Sequence, residues 1–378
     1  MVDSNSHSEI HSFSGNQWPF LQTHPWKQQR NQQHAKGSHE QTVLSAVQPH
    51  IHSWTKSYGK NFLQWHGLQP ALIITEPELC KEILNDKDRV YTKSKPNFHS
   101  KKLFGDGIIV AEGEKWSKLR TLSNHAFHGD SLKSMIPDII ASSEWMLEGW
   151  KKHEGKEIEV HEQFRLRNNQ KLLQFRIPGI SKVYKSSDEK ESEKLEKGIH
   201  DSIIKIVKKR EKEVVSGEED SYGSDFLGML LKAHYGANEK HRISECKAFY
   251  IAGQETTNSL LIWTVFLLAL HPDWQEEARK EVLKLFGKET PNPDGLAKLK
   301  TMSMIINASL RLYPPVIGVG RKVDMEVRLG NLIVPANVQL HISTLALHLE
   351  PQFWGQDVKL FKPERFSKHG LHVILNSL

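Results

Sequence analysis

Residues 245–270 read ECKAFYIAGQETTNSLLIWTVFLLAL. Without a proline, and with apolar side chains recurring at every turn, this stretch is predicted as one long helix from Glu245 to about Leu270, closed by His271-Pro272. Its second half, Leu260–Leu270, is apolar nearly all round and is expected to be buried, yet it is too short to span a bilayer. The first half is interrupted by Ala252-Gly253-Gln254-Glu255-Thr256-Thr257. A glycine, an acid and two threonines weaken a helix. A threonine hydroxyl there can pass a proton with the neighbouring carboxylate as its source, but from these six residues alone an ordinary helix kink is the preferred reading.

Outward from this helix the chain alternates helical and short extended patterns. A helical stretch is expected over 47–58, a strand over Ala71–Thr75, a helix over 76–84, a loop over Gly105–Gly113, then a helix carrying Trp116 and Arg120. Helices are also expected over 131–164, 189–215, 274–286 and 297–312. Residues 326–329 and 332–334 form a hairpin pattern about Gly330-Asn331, followed by a strand over 338–342. The fold class is mainly α with a small β portion. Residues 1–45 are rich in His, Gln, Ser and Asn without apolar periodicity and read as a disordered polar tail. Residues 46–366 then form one domain and 367–378 a short tail of different character.

Composition narrows the function. With 51 Lys and Arg against 45 Asp and Glu, the net charge of +6 is spread along the chain, and no nucleic-acid motif accompanies it. Cys80 and Cys246 are the two cysteines, far apart and each in a helical pattern, which points to neither a disulfide framework nor a zinc site. The sequence offers no membrane span, so a cytoplasmic chain is expected.

Two further motifs follow the long helix in order: Ser309-Leu310-Arg311-Leu312-Tyr313-Pro314-Pro315 and Phe361-Lys362-Pro363-Glu364-Arg365-Phe366. With the Ala252–Thr257 segment, they resemble the oxygen-activation helix, the arginine-bearing helix and the PERF segment of cytochromes P-450. Residues 48–366 resemble plant microsomal members, of the clan that contains secologanin synthase. The resemblance implies a heme-thiolate monooxygenase that inserts oxygen into hydrophobic, terpenoid-like small molecules. Its electrons would come from NADPH through a flavoprotein reductase, and the family is anchored to the endoplasmic reticulum. Thr256 would deliver protons, Glu255 would relay them, and Ala252 and Gly253 would leave room for oxygen. Trp116, Arg120 and Arg321 would bind the heme propionates, and Arg311 and Arg365 would serve structural roles.

Four departures accompany the resemblance. The cysteine expected after PERF, in the heme-binding loop, is absent from Ser367–Leu378, so no metal ligand is assigned. Ala308 stands where the family has the glutamate of its ExxR motif. Its loss is expected to leave Arg311 and Arg365 facing each other, at a cost of ~3–5 kcal/mol. The text jumps between Arg165 and Leu166, where a segment equivalent to the E helix is expected to be missing, and more briefly at Ser244-Glu245; the L helix, which follows the cysteine in the family, is expected to be missing too. The N-terminal anchor is missing as well. These departures predict an inactive relative, a non-catalytic helical protein that binds a hydrophobic ligand or an intact relative, or an incomplete gene product.

Overall fold

The computed structural model describes residues 43–86, 89–94, 104–158, 187–217, 222, 226–233 and 239–367. Most of the polar stretch 1–45, the Arg165–Leu166 junction and nearly all of the segment 367–378 lie outside the described residues. Along the chain run α1 (Val43–Val47), α2 (Pro49–Tyr58), β1 (Asn61–His66), β2 (Gln69–Ile74), α3 (Pro77–Leu84) and β3 (Tyr91–Lys93). Next come α4 (Gly113–Ala126), α5 (Gly129–Ser134), α6 (Ile136–Lys151), α7 (Ser187–Val215), α8 (Phe226–Ala233), α9 (Glu239–Leu270), α10 (Pro272–Phe286) and α11 (Pro293–Leu296). The chain continues through α12 (Lys300–Leu312), β4 (Val319–Val323), β5 (Val327–Leu329), β6 (Leu332–Val334), β7 (Gln339–Ile342), α13 (Thr344–His348), α14 (Pro351–Trp354) and a 3-10 turn over Pro363–Phe366. It divides into two compact units, one built from residues 1–94 and 300–378, the other from 95–299.

The first unit is organised by a five-stranded sheet of order β1-β2-β7-β4-β3. β2 pairs parallel with β7, placing Ile73 beside His341, while the other pairings are antiparallel. Leu72 and Ile74 face a core with Leu79, Cys80 and Ile83 of α3 and Leu340 and Ile342 of β7. Phe62 and Ile73 face the other side, against Ile51 of α2 and Leu345 of α13. Alternate strand residues thus serve two layers of helices. The hairpin β5-β6 turns at Gly330, whose φ is 55° and whose added Cβ would meet Leu79 Cδ2 at 2.6 Å, so both backbone and space demand glycine there.

The second unit is helical. α9 begins six residues before the expected start and passes through Ser244-Glu245 without a break. α6 ends near Lys151, earlier than the helix expected over 131–164, and Pro49 at the start of α2 divides the helix expected over 47–58. One expectation is overturned: the apolar second half of α9 is not buried. Thr264 and Leu267 are enclosed, but Phe266 is 47% and Leu270 59% exposed. A helix that is apolar all round needs neighbours on every side, and its sequence does not supply them.

Candidate functional site

Ala252, Gly253, Glu255 and Thr256 lie near the middle of α9. The Thr256 hydroxyl donates to the Ala252 carbonyl at 2.7 Å, the bond a threonine makes to the preceding turn, and the helix continues through it. A Cβ added at Gly253 would meet nothing within 4 Å, and Glu255 is exposed. Gly253 and Glu255 are thus both open, on different sides of the helix because they are two residues apart, and Thr256, which follows Glu255, is half-buried. Its hydroxyl proton is committed to the backbone, but its oxygen can still accept.

Trp116 and Arg120 lie one turn apart on α4, Trp116 partly and Arg120 openly exposed. α4 is moored to α9 at both ends. Before it, the Ile108 amide donates to the buried Glu245 carboxylate at 3.1 Å. Burial raises the Glu245 pKa, against the Ile108 bond and the positive charge of Lys115, which lower it. After α4, Phe127 stacks on Phe249, ring centres 6.0 Å apart. Both anchors lie within two turns of Ala252, since seven residues of helix rise roughly 10 Å. Glu245 escaped the sequence reading. A lone acid at the start of an apolar helix was the available signal, but its backbone partner is 137 residues away in the chain.

The remaining residues belong to the sheet-bearing unit. Arg321 lies on β4 and donates to the neighbouring Gly320 carbonyl at 2.9 Å. Arg311 on α12 is 2% exposed and donates to the carbonyls of His348 at 3.1 Å, Val358 at 2.7 Å and Leu360 at 3.0 Å, with its guanidinium 5.1 Å from the Trp354 ring centre. Arg365 donates to the Trp354 carbonyl and pairs with the Asp357 carboxylate, which also accepts from Lys362. Bonds from Lys362 and then Arg365 hold Asp357 down at about 2. Burial, and then the charge of Arg365, lowers Arg311 to about 10. The two guanidiniums are thus not left bare, because Asp357 and a ring of carbonyls take up most of their donors. Ala308, one turn before Arg311 and fully buried, contributes no acceptor.

Neither cysteine is placed as a metal-binding thiolate. Cys80 belongs to the core beneath the sheet, where burial, helped by Glu76 and Glu78, pushes its thiol up to about 12. Cys246 packs against the cluster of Ile203, Val207 and Leu231. These 378 residues hold no other cysteine that could serve as a thiolate ligand to a heme iron. Among the described residues no helix is long and apolar enough to cross a membrane.

A family model described as "Cytochrome P450" matches the chain in two stretches, residues 37–168 and 159–374. "Cytochrome P450 CYP749A22" of Panax ginseng is 50% identical over 366 residues, covering 86% of this chain and 69% of that protein. "Cytochrome P450 72A68" of Medicago truncatula is 34% identical, covering 86% and 70%. "11-oxo-beta-amyrin 30-oxidase" of Glycyrrhiza uralensis is 37% identical, covering 84% and 68%.

Proposed function

The chain belongs to the cytochrome P450 family, whose members use heme, and we propose that it carries the proton-delivery and framework segments of a plant monooxygenase while being inactive by itself. The reaction of its intact relatives would place one oxygen atom from dioxygen into a C–H bond of a hydrophobic small molecule. Electrons would come from NADPH through a flavoprotein reductase at the endoplasmic reticulum. A terpenoid-like substrate is supported by the relative named as an amyrin oxidase. In this chain Thr256 and Glu255 would hand protons along α9, Ala252 and Gly253 would leave the space beside them, and Trp116, Arg120 and Arg321 would supply cationic and hydrogen-bonding groups for propionates. Arg311 and Arg365 would hold the turn that carries the PERF residues.

The placement of the two cysteines carries the inactivity: one is sealed under the sheet as a neutral thiol, the other packed among aliphatic side chains. Ala308 supports it, because Arg311 is left with carbonyl acceptors only. The meeting of the two matched stretches over residues 159–168 supports a missing segment there. The test is the absorption spectrum of the purified chain reconstituted with heme, reduced and exposed to carbon monoxide. The expected result is no thiolate-type Soret band; such a band would overturn the reading.

A second reading is favoured by the exposed apolar residues of α9: a non-catalytic helical protein that binds a hydrophobic ligand or an intact relative. Titration of the folded chain with a fluorescent apolar probe and with an intact relative tests it. Saturable binding is expected, and its absence for both would remove this reading.

A further inference from the structure

The environment of Arg311 is unbalanced in charge and in hydrogen bonds. Arg311 is 2% exposed, and its three bonds all run from the two terminal nitrogens to backbone carbonyls. Its Nε is buried with no partner, as are Arg365 Nε and His348 Nδ1. These atoms share one neighbourhood: Arg311 donates to the His348 carbonyl, and the charges of Arg311 and Arg365 act on each other. Asp357 is the acid paired there, and it already serves Lys362 and Arg365. Among the described residues three cations thus stand against one carboxylate, with the Nε–H groups of both arginines buried and unsatisfied. Leaving a buried donor unpaired and leaving a buried charge unbalanced are both costly, and the two penalties coincide here.

We infer that the Arg311–Arg365 cluster beside His348 binds a small monovalent anion of the size of formate or chloride. A water molecule would answer the unpaired N–H groups but leave the charge, whereas an anion answers both. Guanidinium N–H groups are strong donors to such an ion, and low polarity around them strengthens the bond. Ala308 leaves the place open, since an acidic side chain one turn before Arg311 would put a tethered carboxylate on the same face of α12. The inference does not depend on heme or on the oxygenase reading, because it is tested by melting and by resonances of the arginines alone.

The experiment is thermal unfolding of the full chain titrated with sodium formate at constant ionic strength, sodium gluconate making up the balance because gluconate is too bulky to enter. A saturable rise in melting temperature of roughly 2–4 °C is expected. No difference between the two anions would overturn the proposal. Ala308→Glu should abolish the rise by filling the site, and Arg311→Met by removing the donor; a full rise in either would overturn it. Where neither variant folds, NMR of the wild-type arginine Nε–H groups decides. Two of these resonances should shift with the midpoint of the melting curve, and unmoved resonances would show that formate acts elsewhere.

Discussion

The sheet-bearing unit and the helical unit draw on the same apolar residue types and treat them differently. Around the sheet, Phe62, Ile73, Ile74, Leu329, Leu340 and Leu345 are at most 1% exposed, because strands present alternate side chains to helices on both faces. In the helical unit, α6 buries none of its residues, Trp145 is 81% exposed, and the end of α9 leaves Phe266 and Leu270 open. Strand pairing fixes where a side chain points and what it meets. A helix fixes only a face, and the partner must come from elsewhere. Stability should therefore be concentrated in the sheet-bearing unit.

The sharpest contrast should be chemical. Cys80 lies under the sheet with a thiol raised to about 12, whereas Cys246 in the helical unit is only half-buried. A shift from 9.0 to about 12 reduces the thiolate by roughly 1,000-fold. Iodoacetamide at pH 8, followed by peptide mass spectrometry, should label Cys246 first and leave Cys80 unmodified until the unit unfolds. Labelling of both at similar rates would break the comparison. The linkage has a definite sign: the raised folded value makes this contribution fully present below pH 9 and progressively lost as pH rises from 9 toward 12.

Next in size is Ile73→Ala, which empties a fully buried position between the sheet and α13. It should cost ~2–5 kcal/mol in urea unfolding. Below that comes Ser343→Ala. Ser343 Oγ accepts from the Ala346 amide at 3.2 Å, capping α13, and donates to Gln48 Oε1 at 2.9 Å, both buried. Loss of the cap alone costs ~1 kcal/mol, and the orphaned Gln48 acceptor adds to it.

What was legible in the sequence follows the same division. Alternation and turn residues were enough for β2, the β5-β6 hairpin and β7, and apolar spacing was enough for α3, whereas Pro272, read as closing α9, also opens α10. β1 was missed because its inward positions are Phe62 and Gln64, and a buried glutamine breaks the apolar alternation. β3 is three residues long with one apolar side chain, and β4 holds Gly320, Arg321 and Lys322. These two strands exist because β7 is there to pair with β4, and β4 with β3, a fact that no local pattern contains. In the candidate site, the motif residues were readable one helix at a time. The Glu245 mooring depends on a partner 137 residues away, and the Asp357 pairing, though local in the chain, on a turn that no apolar period announces.

The smallest expected effect tests the contrast most directly. Phe266 and Leu261 of α9 are 47% and 40% exposed, so truncation removes roughly half the contact area that it would at a fully buried position. Phe266→Ser and Leu261→Ser should each lower unfolding stability by no more than about 1 kcal/mol, although the same residue types beneath the sheet are worth several times that. What they should change is association, since an open apolar stripe favours self-contact. Analytical ultracentrifugation of the double variant should show less self-association than the parent chain at equal concentration. If stability instead falls by as much as with Ile73→Ala, those side chains are packed in solution and the helical unit is as well sealed as the sheet.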